Sequence, residues 1–303
     1  MIDSRFTLDH KIALVTGGGC GIGLAFVHMA AKAGVRVVIA DLCLSDAGAA
    51  AIEASEKLII FVQTDVRKRG DLENAITVST LSFGDVPDVY VANAGVFEPL
   101  YKAVVEFLAG HRGQSPNVSF DSNLTADFLH PLKLTRLATR ALLGAKKSGV
   151  VDLVSSTVGL SWSYPAALYC ATKHALIGFT RSMAPAESLN RVRVVCLCPG
   201  IVDRPLWQTQ EGLAEQFSIS DEISITADDV AAALVEPIAG VNHKGRTVLK
   251  IDRSGLKKIE FSAKTRELNE NDLAMVKNRS FAPLQEVLSA EIGRPWSVIS
   301  EQL

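Results

Sequence analysis

The 303-residue chain contains no apolar run of the ~18 residues that a membrane-spanning helix requires. No apolar stretch follows Met1-Ile2-Asp3-Ser4-Arg5-Phe6, and an acid stands at its third position, so the start does not read as a secretory leader. A cytoplasmic protein without a membrane partner is expected. Cysteine is sparse and dispersed: Cys20, Cys43, Cys170, Cys196 and Cys198 are odd in number and form no CxxC pair. A disulfide framework or zinc site is therefore not expected, and the thiols read as small buried hydrophobes in a reducing compartment. The six histidines form no ligand spacing either, so no metal is expected. Excess charge of one sign is lacking too. The 31 Lys+Arg balance 33 Asp+Glu for a net charge of −2, whereas a nucleic-acid-binding chain usually carries a strong basic excess. Linkers rich in Pro, Gly or Ser are absent, as are internal repeats.

What is present is a folded α/β pattern. Hydrophobic residues make up 48% of the chain and charged residues 21%, which excludes a disordered or low-complexity polymer. Short β-branched runs read as strands at Lys11–Thr16, Val35–Ala40, Leu58–Gln63, Val86–Ala92, Gly149–Val154, Val192–Leu197 and Arg246–Ile251. Between them lie helical stretches at Gly21–Ala33, Ser45–Ser55, Asp71–Leu81, Leu124–Leu143, Tyr169–Ala184 and Thr226–Ala239, the last opening on a capping-box-like Thr226-Ala227-Asp228-Asp229. Alternation of this kind predicts a doubly wound, Rossmann-type sheet of seven mostly parallel strands, with helices on both faces. One catalytic domain is expected over 1–253. A C-terminal extension is expected over 254–303, with a helix within Asn269–Ala290, packing on the domain or on a partner subunit.

The first strand runs into Thr16-Gly17-Gly18-Gly19-Cys20-Gly21-Ile22-Gly23. Between a strand and a helix, Gly17, Gly21 and Gly23 leave room for a pyrophosphate, and the helix offers it free N–H groups and a positive dipole end. Gly19, Cys20 and Ile22 lie in the same loop. The second strand leads into Asp41-Leu42, where a carboxylate can accept from both adenosine ribose hydroxyls and repel a 2′-phosphate. No Lys or Arg stands at Gly18, Gly19, Leu42 or Cys43 to offset that charge, so NAD is expected over NADP. The alternatives for Asp41 are a helix cap or a solvated side chain. The next two strands lead into Asp65-Val66 and Asn93-Ala94-Gly95. Asp65 is a candidate acceptor for the adenine amino group and Asn93 a clamp on the sheet edge or the cofactor; either also suits a turn.

Tyr169 and Lys173 are four residues apart and share a helix face. An ammonium beside a phenol favours the phenolate, which makes Tyr169 a candidate acid/base. Ser156, after the fifth strand, is a candidate donor to a substrate oxygen; its alternative is a turn or cap. Trp162 and Trp207 follow the catalytic strands and suit the walls of a pocket for a bulky, apolar alcohol or ketone, or else ordinary packing.

Taken together, Thr16–Gly23, Asp65-Val66, Asn93-Ala94-Gly95, Asn123, Ser156, Tyr169, Lys173 and Pro199-Gly200 resemble the short-chain dehydrogenase/reductase family in its shorter, single-domain form, over about Lys11 to Asp252. Tyr169–Ser182 is similar to hydroxyprostaglandin dehydrogenases and to fungal secondary-metabolite dehydrogenases. The resemblance implies NAD as cofactor and a tetrad. In it Tyr169 exchanges the proton and Lys173 assists it and holds the nicotinamide ribose. Ser156 positions the substrate oxygen, and Asn123 (with Asn117 as a rival) holds a water in a relay to Lys173. It also implies cofactor contacts from Pro199, Gly200 and Val202, and a homodimer or homotetramer. Two features depart from the family. Arg204 stands where it usually has a threonine: it binds the carboxamide, binds an acidic substrate group, or faces solvent. The Val96–Ser122 link is long. The alternative function is a non-redox regulator or cyclase on the same scaffold.

Overall fold

The computed structural model describes residues 8–96, 124–203, 223–240, 242–261 and 286–297. In chain order the elements are β1 (Ile12–Thr16), α1 (Gly21–Lys32), β2 (Arg36–Asp41), α2 (Asp46–Ala54), β3 (Ile59–Gln63), α3 (Arg69–Phe83) and β4 (Val89–Ala92). After the long link come a π-helical turn (Thr125–Leu129), α4 (His130–Gly144), β5 (Gly149–Val154), two 3₁₀ turns (Thr157–Leu160 and Tyr164–Ala166) and α5 (Ala167–Ser182). The chain closes with α6 (Ala186–Asn190), β6 (Val192–Pro199), α7 (Ala227–Ala239), β7 (Val248–Asp252) and β8 (Gly255–Lys258).

The strand order is β3-β2-β1-β4-β5-β6-β7-β8. Strand pairs are parallel through β7, as β-strand and helix alternation requires. Successive side chains enter opposite layers: Ala13 and Val15 join the core under α1 and α7, while Leu14 joins the core under α3, α4 and α5. The order reverses between β1 and β4, which opens a crevice at their C-terminal ends.

Three expectations are corrected. The sheet has eight strands, not seven. Gly255, at φ +94°, turns the chain back after Asp252, whose Oδ1 accepts from Ser254 N at 2.9 Å, and β8 pairs antiparallel with β7. The boundary at 253 therefore falls inside a hairpin. Gly255-Leu256-Lys257-Lys258 escapes a hydrophobicity reading because an exposed edge strand favours lysines over an apolar alternation. Secondly, the helix expected from Leu124 begins as a π turn and is regular only from His130. Thirdly, two of the five cysteines, Cys20 and Cys43, are exposed rather than buried. Thr226 and Asp229 do form the capping box, with reciprocal bonds of 3.1 and 2.8 Å.

From the C-terminal extension, residues 286–297 lie across α4 and α3; the rest of the helix expected within Asn269–Ala290 lies outside the described residues. Gly293 N donates to Leu143 O at 3.1 Å. The Arg140 guanidinium donates to Ser297 O, pairs with Glu291 and lies 5.2 Å from the Trp296 ring. Trp296 Nε1 donates to Thr77 Oγ1 at 3.0 Å, and the indole packs on the core shared by α3 and α4. Trp296→Ala removes a half-buried indole, its hydrogen bond and its cation–π contact. It is expected to cost about 2 kcal/mol of stability, read as a lower urea midpoint, with nicotinamide-nucleotide affinity unchanged.

Candidate active site

The end of β1 is tied to the end of β4 by one buried hydroxyl. Thr16 Oγ1 donates to Val91 O at 3.1 Å and accepts from Asn93 N and Ala94 N at 3.1 and 3.2 Å. Asn93 Nδ2 returns the tie, donating to Thr16 O and Gly17 O at 3.1 and 3.0 Å. Both amide protons are thus spent on the loop, so Asn93 acts as the clamp on the sheet edge and lines the crevice without offering them to a ligand.

The glycine loop is packed backbone against backbone. Gly17 is at φ +64°, and a methyl on it would meet Ala94 Cα at 2.8 Å. A Cβ on Gly23 would run into the Gly17 carbonyl, and one on Gly19 into the Cys43 carbonyl. Cys20 precedes α1 in an extended conformation, with no side-chain cap and no acid in the first turn. The leading N–H groups of α1 and its positive end are therefore left for an anion. Asp41 stands beside them. Its Oδ2 accepts from Gly19 N at 2.8 Å and its Oδ1 from Leu42 N at 2.7 Å. These bonds fix the carboxylate at the rim and leave lone pairs free for hydroxyl donors.

Two adjoining cavities, of about 540 and 280 Å³, form one crevice and share Ile22, Asn93, Gly95 and Val96. The larger is lined by Gly17, Cys20, Gly21, Asp41, Leu42, Asp65, Val66, Arg67 and Ala94 among others. Asp65 does not stand open there: Arg67 grips it with two bonds of 2.9 and 2.8 Å. The guanidinium holds the carboxyl below the usual aspartate range against the opposing effect of burial. An adenine amino group would have to share that acceptor. Arg67 itself escaped the sequence reading, since one arginine after Asp-Val carries no pattern.

The smaller cavity is lined by Ser156, Tyr169, Lys173, Asp127, Pro199, Gly200 and Val202, with Val96, Val154, Val158 and Ile201 as apolar wall. Ser156 caps a 3₁₀ turn, its Oγ 3.4 Å from Val158 N and 3.5 Å from Pro199 O. Lys173 is buried; its Nζ donates to Val154 O at 3.2 Å and lies 5.4 Å from the Tyr169 ring centroid. Ser155 Oγ donates to Lys173 O at 2.9 Å, and a Cβ on Gly159 would sit 2.9 Å from that same carbonyl. The 3₁₀ turn and α5 are thereby locked together, which brings Ser156 and Tyr169 to one wall.

Trp162 is corrected. It is 88% exposed and lines neither cavity, because its 3₁₀-flanked segment turns outward. Asn123, Asn117, Arg204 and Trp207 lie outside the described residues. Asp127 is the side chain that sequence reasoning missed. It follows Asn123 by four residues, and the eye stops at the asparagine that fits the motif. Only the π turn brings Asp127 to the cavity. Among the described residues, no group of three His, Cys, Asp or Glu side chains could hold a metal, and no helix is long and apolar enough to cross a membrane.

The model of the short chain dehydrogenase family matches residues 11–212. The chain belongs to the short-chain dehydrogenase family. It is 35% identical over 199 residues to the sex determination protein tasselseed-2 of Zea mays, covering 66% of this chain and 57% of that protein. It is 34% identical to the L-fucose dehydrogenase of Rattus norvegicus over 65% of this chain and 68% of that one. Its fold matches a 3-ketoacyl-(acyl-carrier-protein) reductase from Brucella melitensis, solved with NADH, at a TM-score of 0.66 and 25% identity over 81% of this chain and 98% of that one. As in any short-chain dehydrogenase, the ligand-bearing edge of the sheet lies at the C-terminal ends of the strands.

His130, fully buried behind the site, bonds Ala126 O through Nδ1 at 3.1 Å. Burial chiefly holds its pKa down, to about 4. The unfolded chain takes up that proton near pH 6.5, so the contribution of His130 is present above pH 6.5 and is lost as the pH falls towards 4. Comparing urea unfolding at about pH 7.5 and 4.5, His130→Gln is expected to reduce the acid destabilisation by about 2–3 kcal/mol. Gly23→Ala is expected to weaken NADH binding at least about tenfold, read by nicotinamide fluorescence, since its methyl would run into the Gly17 carbonyl and the Asn93 amide that clamps the loop.

Proposed function

We propose that this protein is an oxidoreductase that transfers a hydride between NAD(H) and a bulky, largely apolar secondary alcohol or ketone, with Tyr169 as acid/base. The observation that carries the reading is the single crevice, in which an uncapped helix N-terminus and Asp41 adjoin a cavity holding Ser156, Tyr169 and Lys173. The residues fit a dinucleotide. Gly17, Gly19 and Gly23 keep side chains out of the loop, where Cys20, Gly21 and Ile22 would edge a pyrophosphate. Asp41 and Leu42 would hold the adenosine ribose, and Val66 with the Asp65–Arg67 pair would border the adenine. Ala94, Gly95, Pro199, Gly200 and Val202 would border the nicotinamide end, and Lys173 its ribose. Arg67 is the cation nearest Asp41 in the cavity lining, and Asp65 already occupies its fork, so the rim favours hydroxyls over a 2′-phosphate.

The chemistry that a bound nicotinamide would supply is hydride transfer. Tyr169 takes the proton of the substrate hydroxyl during oxidation and returns it to the carbonyl oxygen during reduction. Lys173, held by Val154 O, presents its ammonium 5.4 Å from the Tyr169 ring centroid. The Ser156 hydroxyl orients the substrate oxygen towards the phenol. Val96, Val158 and Ile201 give the substrate an apolar wall and few polar partners. Similarity to an enzyme named for the sugar L-fucose makes that wall the point to test.

Tyr169→Phe is expected to lower turnover of secondary alcohols with NAD by at least about a hundredfold while leaving NADH affinity within about threefold of wild type. Unchanged turnover would remove the mechanism. Titration with NADH and NADPH is expected to favour NADH, and Asp41→Ala to narrow that preference.

A further inference from the structure

Asp65 and Arg67 line the larger cavity beside Leu42, Thr64 and Val66. Asp65 is buried, whereas the Arg67 side chain is half exposed. One arginine sends three donors to that carboxylate. Asp65 Oδ1 accepts from Arg67 Nε at 2.9 Å and from Arg67 N at 3.1 Å, and Oδ2 accepts from Arg67 Nη2 at 2.8 Å. An ionised carboxylate offers about four lone-pair directions, so about one is left. Nη1 takes no part in the grip.

The turn that carries the pair is fastened from outside it. Asp65 N donates to Asp71 Oδ2 at 2.9 Å, Lys68 N donates to Asp65 O at 2.8 Å, and Lys133 Nζ on α4 donates to Arg67 O at 3.3 Å. The fork is thus a fixed part of the cavity wall, and the guanidinium keeps Asp65 ionised.

A bare carboxylate and a gripped one read a purine differently. Bare, it accepts from the amino group of adenine and repels the ring carbonyl that hypoxanthine carries in its place. Gripped, it has little acceptor capacity left, and the guanidinium matches its charge. Nη1 can then donate to the hypoxanthine carbonyl, and the guanidinium plane suits the face of either ring. The exposed Leu42 side chain at the same rim adds an apolar surface that discriminates neither base.

We propose that Arg67 is a specificity-determining residue of the dinucleotide crevice: by occupying the Asp65 carboxylate it makes the base end accept a purine by its face, without selecting for the adenine amino group. The inference rests on the NAD(H) reading of the crevice.

The probes are NADH and reduced nicotinamide hypoxanthine dinucleotide, each titrated into the full chain and followed by nicotinamide fluorescence. The two are expected to bind wild type with dissociation constants within about threefold of each other. Arg67→Met keeps the apolar stem and removes the fork. It is expected to raise the preference for NADH at least about fivefold, because the freed carboxylate then accepts from the amino group. Arg67→Ala is expected to give the same rise and takes its place if Arg67→Met fails to fold. A wild-type preference above about threefold, or a preference that loss of Arg67 raises by less than about fivefold, overturns the proposal. Failure of wild type to bind either nucleotide overturns the NAD(H) reading itself.

Discussion

Thr16 uses its one hydroxyl three times where β1 and β4 end side by side, and Asn93 answers with both protons of its amide. The ligand-bearing edge is registered to that junction. It holds the glycine loop against Ala94, so that α1 starts at the mouth of the crevice. It also sets where the chain leaves β4, and so where Gly95 and Val96 meet Asp127 and Lys173. With the Thr16 hydroxyl buried, each of these bonds is hard to exchange for water, and the junction is stiff.

Charge is arranged around this frame with little waste. On the rim, Asp41 is steadied by two backbone N–H groups and Asp65 by Arg67, so each carboxylate is pre-set and one cation is neutralised. In the smaller cavity, Lys173 donates to Val154 O and lies over the Tyr169 ring. A further buried pair lies in the sheet, where burial pushes the Asp152 carboxyl up despite the pull of Arg193, which itself bonds the His243 carbonyl.

Strand and helix alternation, the parallel sheet and the glycine loop were legible because each depends on local periodicity or on a short spacing. The capping box at Thr226 and the Tyr169–Lys173 face were readable for the same reason. Trp162 was misread because an aromatic near Ser156 says nothing about which way a 3₁₀-flanked loop turns. β8 was missed because lysines at an exposed edge erase the apolar signal. Asp127 and Arg67 were missed because neither belongs to a motif: Asp127 reaches the cavity wall from a π turn, and Arg67 reaches the crevice wall through its grip on Asp65.

The order of residues along the chain was enough to determine the fold class, the glycine loop between β1 and α1, and the helix face shared by Tyr169 and Lys173. These follow from the 3.6-residue and 2-residue periods and from backbone that only glycine permits. The tertiary structure alone decided which side chains share the cavity. A π turn displaces the helical register by about one residue, and a glycine without a side chain lets two distant segments approach. Neither consequence is written in local spacing. Asp127 and Lys173 line one cavity only once Gly95, the π turn and α5 have packed together.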